Sequence, residues 1–234
     1  MLSESSTFLN TLFSLRYPIG LVILYLGVII AFAEGLNRLL GTNAEFTRKI
    51  VHIGSGNVVL IAWLLQIPSW VLISASFIAS IIALISYFLP ILPSINSVGR
   101  KSLGTFFYAL SIGILAQVFW STGHPQYLVI GILVMAWGDG MAAIIGQKFG
   151  QHCYEILGVK KSWEGSLTMM GVSFLVTSLI LSWVNLPILT VGIVSLMIAI
   201  VAMALEAFSK LGIDNLTVPL GSAVLAFYLV DVLL

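Results

Sequence analysis

The segment from Gln126 to Gln147, QYLVIGILVMAWGDGMAAIIGQ, decides the fold. It is long and apolar enough to cross a membrane as a helix, which takes about 20 mostly apolar residues. Inside it stands Asp139, held between Gly138 and Gly140. A charged group at that depth is costly and normally faces a polar cavity, so it marks a functional site.

Composition extends this reading to the whole chain. Of 234 residues, 59% are hydrophobic and 8% charged, and the mean hydropathy is +1.11. Soluble domains carry about 25% charged residues, so a soluble globular protein is excluded. The fold class is all-α: a polytopic helical membrane protein forming a single integral membrane domain over residues 1–234, with 1–18 as an N-terminal segment. Long unbroken apolar runs exclude a barrel, whose strands would alternate with period two. The net charge is +1 and no basic run is interleaved with aromatics, which argues against a nucleic-acid partner. Cys153 is the lone cysteine, so neither an internal disulfide nor a cysteine zinc site is available. Met1 to Asn10 lacks a basic stretch of the signal-peptide kind, and the first apolar segment is expected to be retained.

Hydropathy predicts eight spans, near residues 19–37, 51–67, 69–92, 104–121, 126–147, 163–184, 187–206 and 216–234. With that count, Arg38, Arg48, Lys49, Arg100, Lys101, Lys148, Lys160, Lys161 and Lys210 fall on one side and only Arg16 on the other. Basic residues collect on the cytoplasmic side, so both termini are expected outside the cytoplasm. The active-site loops, near 38–52, 147–166 and 206–216, are expected on the cytoplasmic face. Glu34, Glu45, Asp139, Glu155, Glu164, Glu206 and Asp214 share that face. A transporter would place polar groups along a path through the membrane, with repeats and broken helices. The asymmetry favours an enzyme.

Four motifs carry the chemistry. In a helix after Asp139, Ala142, Ala143, Gly146 and Gly150 form a smooth strip, suited either to helix packing or to close approach of a ligand. Lys160-Lys161-Ser162 precedes Trp163-Glu164-Gly165-Ser166. The lysines are either topogenic anchors or phosphate contacts, Ser162 is a candidate N-cap, and a helix N-terminus receives phosphate readily. Glu206 ends the seventh span, and Asp214 and Asn215 precede the eighth, where Pro219 and Gly221 predict a locally irregular helix. Carboxylates on one face suit a hard divalent cation such as magnesium. Arg48, Lys49 and His52 open the second span, as anchors or phosphate contacts, and Arg100-Lys101-Ser102 repeats the theme.

Arg48-Lys-x-x-His52, Gly138-Asp-Gly-x-Ala-Ala-x-x-Gly-x-Lys-x-Gly150, Lys160-Lys-Ser-x-Glu-Gly-Ser166 and Glu206-x(7)-Asp-Asn-Leu-x-x-Pro-Leu220 occur in that order. Together they resemble the polyprenol kinase family, which includes kinases of phytol, farnesol and dolichol, over about residues 45 to 225. The short chain is most similar to the phytol-directed members. The resemblance implies transfer of the γ-phosphate of CTP to an isoprenoid alcohol drawn from membrane lipid, in a thylakoid or plastid-type membrane if that alcohol is phytol. It implies a nucleotide-binding region of Gly138, Gly140, Lys148, Lys160, Lys161, Glu164, Gly165 and Asn215, joined by Arg48, Lys49 and His52. Asp139, Asp214 and Glu206 would be catalytic and would hold Mg2+, and a carboxylate or His52 would take the proton of the alcohol. The alternatives are a cytidylyltransferase acting on a lipid phosphate, which would use the same metal site and release pyrophosphate, and a small ion-coupled transporter.

Overall fold

A computed structural model describes residues 2–40, 44–88 and 103–233. Helix α1 spans Leu2–Leu40, α2 Ala44–Gly56, α3 Val58–Leu64, α4 Ser69–Phe88 and α5 Gly104–Leu115, which continues as a π-helical turn, Ala116–Trp120. Next, α6 (Pro125–Leu133), a π-helical turn (Val134–Asp139) and α7 (Gly140–Phe149) form one continuous rod. A hairpin of β1 (Cys153–Ile156) and β2 (Val159–Ser162) leads to α8 (Trp163–Trp183), α9 (Ile188–Ala207) and α10 (Asp214–Phe227), the last followed by a third π turn, Tyr228–Val232.

Among the described residues, six helices are long and apolar enough to cross a membrane: Ser14–Leu39, Ser69–Phe88, Pro125–Phe149, Trp163–Trp183, Ile188–Ala207 and Asp214–Val232. Of the other two expected spans, 104–121 is a shorter apolar helix, Gly104–Trp120. The remaining one, 51–67, starts earlier, inside α2, and is interrupted at Asn57 before α3. The fold is all-α and polytopic, as expected. Arg100, Lys101, Ser102 and the end of the third span, residues 89–92, lie outside the described residues. Helix α10 runs unbroken through Pro219, against the expectation of an irregular start. The irregularity lies instead at its far end, in the π turn.

The rod α6–π–α7 sits at the centre because its sequence is apolar on every side, and such a helix is stable only when enclosed. From Tyr127 to Ala136 every residue is buried, with α2, α3, α5, α8 and α10 packed around it. Helix α1 instead lies at the periphery against α2 and keeps its apolar residues outward, which only a lipid surroundings tolerates. Close approach in the core depends on missing side chains. A Cβ on Gly131 would stand 2.4 Å from the Pro219 carbonyl oxygen in α10, whereas one on Gly171 in α8 would meet nothing within 4 Å. Overpacking of this kind costs about 1–3 kcal/mol. Gly131→Ala should therefore lower the thermal midpoint of the purified protein by several degrees, while Gly171→Ala should leave it within about a degree.

Candidate active site

Asp139 is the last residue of the central π turn, 8% exposed. The turn's irregular pitch is of the kind found at functional positions in helices. Small residues let two helices close on the carboxylate. A Cβ on Gly138 would meet the Met169 sulfur of α8 at 2.6 Å, and one on Gly140 would meet Ile53 of α2 at 2.5 Å. Gly138 and Gly140 thus stand where neighbouring side chains press against the backbone. Across that contact, Lys49 of α2 donates to Asp139 Oδ2 at 2.5 Å, with side-chain exposures of 8% and 12%. His52, one turn further along α2, brings its Nε2 to 3.8 Å from the same oxygen.

A second buried pair lies beside the first. Lys161 donates to Glu206 Oε1 at 2.6 Å and also to the Glu206 carbonyl, joining β2 to the end of α9. Asp214 opens α10, where a carboxylate favours the helix dipole, and accepts from the amide (3.1 Å) and side chain (3.2 Å) of Asn215. Asn215 also donates to Gly212 at 3.3 Å, so it braces the turn that presents Asp214. Asp139, Glu206 and Asp214 lie within electrostatic reach of one another. Among the described residues, no three His, Cys, Asp or Glu side chains form a ready metal cluster.

Asp139, Lys161 and Glu206 border a cleft of about 290 Å³, lined also by Ala142, Ala143, Gly146, Gln147, Cys153, Lys160, Ser162, Gly165 and Ser166. Small-molecule pockets run roughly 300–1,000 Å³, so the volume falls just short of that range. The hairpin forms one wall. It turns through Leu157 and Gly158, both at positive φ (53° and 75°), which gives the two-residue turn whose twist suits paired strands. Successive strand residues face opposite ways. Lys160 is therefore exposed in the cleft, while Lys161 turns inward to Glu206.

Of the other expected site residues, Gly165 lines the cleft with Ser162, while Glu164, Arg48 and Lys148 are not part of its lining. Glu164 faces outward and accepts from the His152 ring at 2.7 Å and its amide at 3.2 Å. Ser162 caps α8 by accepting from the Gly165 amide at 3.2 Å, which is the plain capping role. Gly165 packs against Ala142 and Gly146 of α7. Arg48 pairs with Glu45 at 2.6 Å at the exposed start of α2. Burial raises the pKa of the Glu45 carboxyl, but the Arg48 hydrogen bond and charge outweigh it and hold the group below its usual range. Lys148 lines a second cleft of about 250 Å³ with Glu45, Phe46, Lys49, Ile144 and Gln147. Sequence reasoning missed the Lys49–Asp139 pair, the hairpin, and Tyr108, whose ring lies 4.6 Å from that of His52.

Lysines and carboxylates thus gather around a cleft in a bundle of helices apolar enough to cross a membrane. The chain is 57% identical over 209 residues to a phytol kinase of Synechocystis sp., covering 89% of this chain and 90% of that one. It is 29% identical over 244 residues to the chloroplastic phytol kinase 1 of Arabidopsis thaliana, covering 92% and 77%, and 28% identical over 212 residues to a probable chloroplastic phytol kinase of Triticum aestivum, covering 79% and 67%. The chain belongs to the phytol kinase family, phosphotransferases with an alcohol acceptor. No protein-family model and no solved structure matches it.

Removing one member of a buried ion pair leaves an uncompensated charge and costs about 3–5 kcal/mol. Asp139→Asn should accordingly lower the stability of the protein as well as its turnover. Combining Asp139→Asn with Lys49→Met should restore much of the thermal midpoint but none of the activity. Full stability of Asp139→Asn alone would show that the pair is not closed in the membrane.

Proposed function

We propose that this protein transfers the γ-phosphate of CTP to a long-chain isoprenoid alcohol of the phytol type, giving the isoprenyl phosphate and CDP. The observation that carries the reading is a cleft at one end of the bundle in which Lys160 stands free of ion pairing beside two lysine–carboxylate pairs. Phosphoryl transfer needs positioning and charge neutralisation more than covalent chemistry. Lys160 reaches the triphosphate from the rim, and Lys161 meets it from the inner wall. Lys49 holds the end nearest the transferred group, where charge develops during the reaction. Asp139 and Asp214 would hold magnesium, which supplies further charge neutralisation on the nucleotide. Two carboxylates fit that ion, because magnesium on a nucleotide usually takes only one or two from the protein and fills its shell with phosphate and water. Glu206 keeps Lys161 in place. The alcohol keeps its tail in lipid and presents its hydroxyl at the level of Asp139.

The nine-to-one distribution of basic residues in an eight-span topology supports a cleft open to the cytoplasmic side or its equivalent. Both plant relatives named above carry chloroplastic names, consistent with a thylakoid or plastid-type membrane there.

Purified protein given [γ-32P]CTP, magnesium and a panel of phytol, farnesol, geranylgeraniol and diacylglycerol should label an isoprenyl alcohol and release CDP. Chelation of the metal should abolish the reaction. Release of labelled pyrophosphate from CTP in the presence of a lipid phosphate, with no labelled alcohol product, would instead assign a cytidylyltransferase.

Cys153 gives a direct test of where the nucleotide sits, since it is exposed and lines the cleft. An impermeant maleimide should label it in membrane vesicles of one orientation only, the one exposing the cytoplasmic face. Magnesium and CTP together should slow that labelling at least severalfold. Labelling that CTP leaves unchanged would remove the nucleotide from this cleft.

A further inference from the structure

The second cleft, of about 250 Å³, opens between the start of α2 and the end of α7. Glu45, Phe46 and Lys49 line it from α2, and Ile144, Gln147 and Lys148 from α7. It lies across α7 from the cleft that holds Lys160 and Lys161. Gly146 is in the wall of that first cleft and stands two positions from both Ile144 and Lys148. Two positions turn an α-helix by about 200°, onto its opposite face. Of the residues lining either cleft, only Gln147 borders both.

The two clefts meet at one ion pair. Asp139 lines the first and Lys49 the second, and the two side chains are joined at 2.5 Å. A lysine ammonium has three N–H bonds, of which Asp139 takes one. The linings differ in kind. In the first cleft the apolar side chains go no further than alanine and the Cys153 thiol, and the rest is polar or bare backbone. The second presents the Phe46 ring and the Ile144 side chain, with Phe46 38% exposed. At its edge Lys148 Nζ lies 5.3 Å from the centroid of the exposed Phe149 ring. An apolar stem with a charged head suits a position where lipid meets water. The Glu45 carboxylate in the wall disfavours a polyphosphate there.

Resting on the kinase reading above, we infer that the second cleft binds the lipid alcohol. Its first isoprene units lie against Phe46 and Ile144, its tail continues into lipid, and its hydroxyl accepts from Lys49 beside Asp139. The placement suits phosphoryl transfer, in which the attacking and leaving oxygens stand roughly in line across the phosphorus. A nucleotide in the first cleft and an alcohol in the second reach the Lys49–Asp139 pair from opposite faces of α7. Lys148 then belongs to the side of the alcohol and not to that of the nucleotide.

The test uses the full chain in lipid nanodiscs, with farnesol as the probe alcohol and N-ethylmaleimide as the label. Ile144→Cys in a Cys153→Ser background should label more slowly, at least severalfold, when farnesol is added, and at an unchanged rate with magnesium and CTP. Cys153 of the otherwise unaltered protein should show the reverse, slowed by magnesium and CTP and indifferent to farnesol. Ile144→Trp fills the second cleft, and should raise the KM for farnesol at least roughly tenfold, the scale of a lost apolar fit. Its kcat should stay within a few-fold, and half-protection of Cys153 by CTP should not move. Should that variant fail to fold, Phe46→Ala, which only removes a contact, should raise the same KM in the same way. The assignment is overturned if farnesol leaves labelling at position 144 unchanged, if farnesol protects Cys153 instead, or if the farnesol KM of the folded variants equals that of wild type. Labelling is read without turnover, so the two readings fail separately: wild-type protein that phosphorylates none of the alcohols overturns the kinase reading itself.

Discussion

The contact between Lys49 and Asp139 is the constraint around which the bundle is arranged. A carboxylate inside an apolar rod needs a countercharge, and at 2.5 Å the lysine of α2 provides one. That pairing obliges α2 to lie against the central rod at one level, and Gly138 and Gly140 provide the close approach that level requires. Helix α8 is then drawn to the other side of the same turn, carrying the hairpin with it. The second pair, Lys161 with Glu206, ties the hairpin to α9. The polar end of the molecule is thus a set of charges that cross-link helices distant in sequence, while apolar packing around Tyr127 to Ala136 supplies the bulk of the core.

The two lysines at 160 and 161 are adjacent and identical in sequence, yet their settings are unlike. Had the segment been helical, both would have lain near the same surface. As a strand it leaves Lys160 exposed at the cleft rim and turns Lys161 from the cleft wall toward Glu206. One has no carboxylate partner among the described residues. The other already neutralises one, so an anion it met in the cleft would share it with Glu206. The alternation of a four-residue strand is enough to divide the roles.

Much of this was legible in the sequence, and the limits have physical reasons. Hydropathy located the long spans, because exclusion from water acts on whole segments and tolerates errors of a few residues. Asp139 stood out because an isolated charge in an apolar run is rare. Its partner could not be read, since Lys49 is 90 positions away and looks like any basic residue at a membrane boundary. The hairpin escaped notice because four-residue strands leave little periodicity, and Leu157 in the turn is not the asparagine or aspartate that usually announces one. The small residues of the 138–165 region were correctly read as a bare surface, but whether neighbouring backbone or ligand fills it depends on which helix arrives. Tyr108 carries no signal at all in an apolar sequence; only its ring packing against that of His52 distinguishes it.

The π turn that ends at Asp139 has a bearing on how this chain can vary over time. It contains more residues per turn than the α-helices on either side, about 4.4 against 3.6, so its six residues turn the chain about as far as five residues of α-helix. The extra residue is absorbed inside the turn, and the phase between α6 and α7 stays close to that of an uninterrupted helix. Loss of one residue there would leave Gly146 facing α8 and change chiefly which of the turn's own side chains reach their neighbours. The segment Val134–Asp139 therefore re-aims side chains locally without re-aiming the helices that it joins.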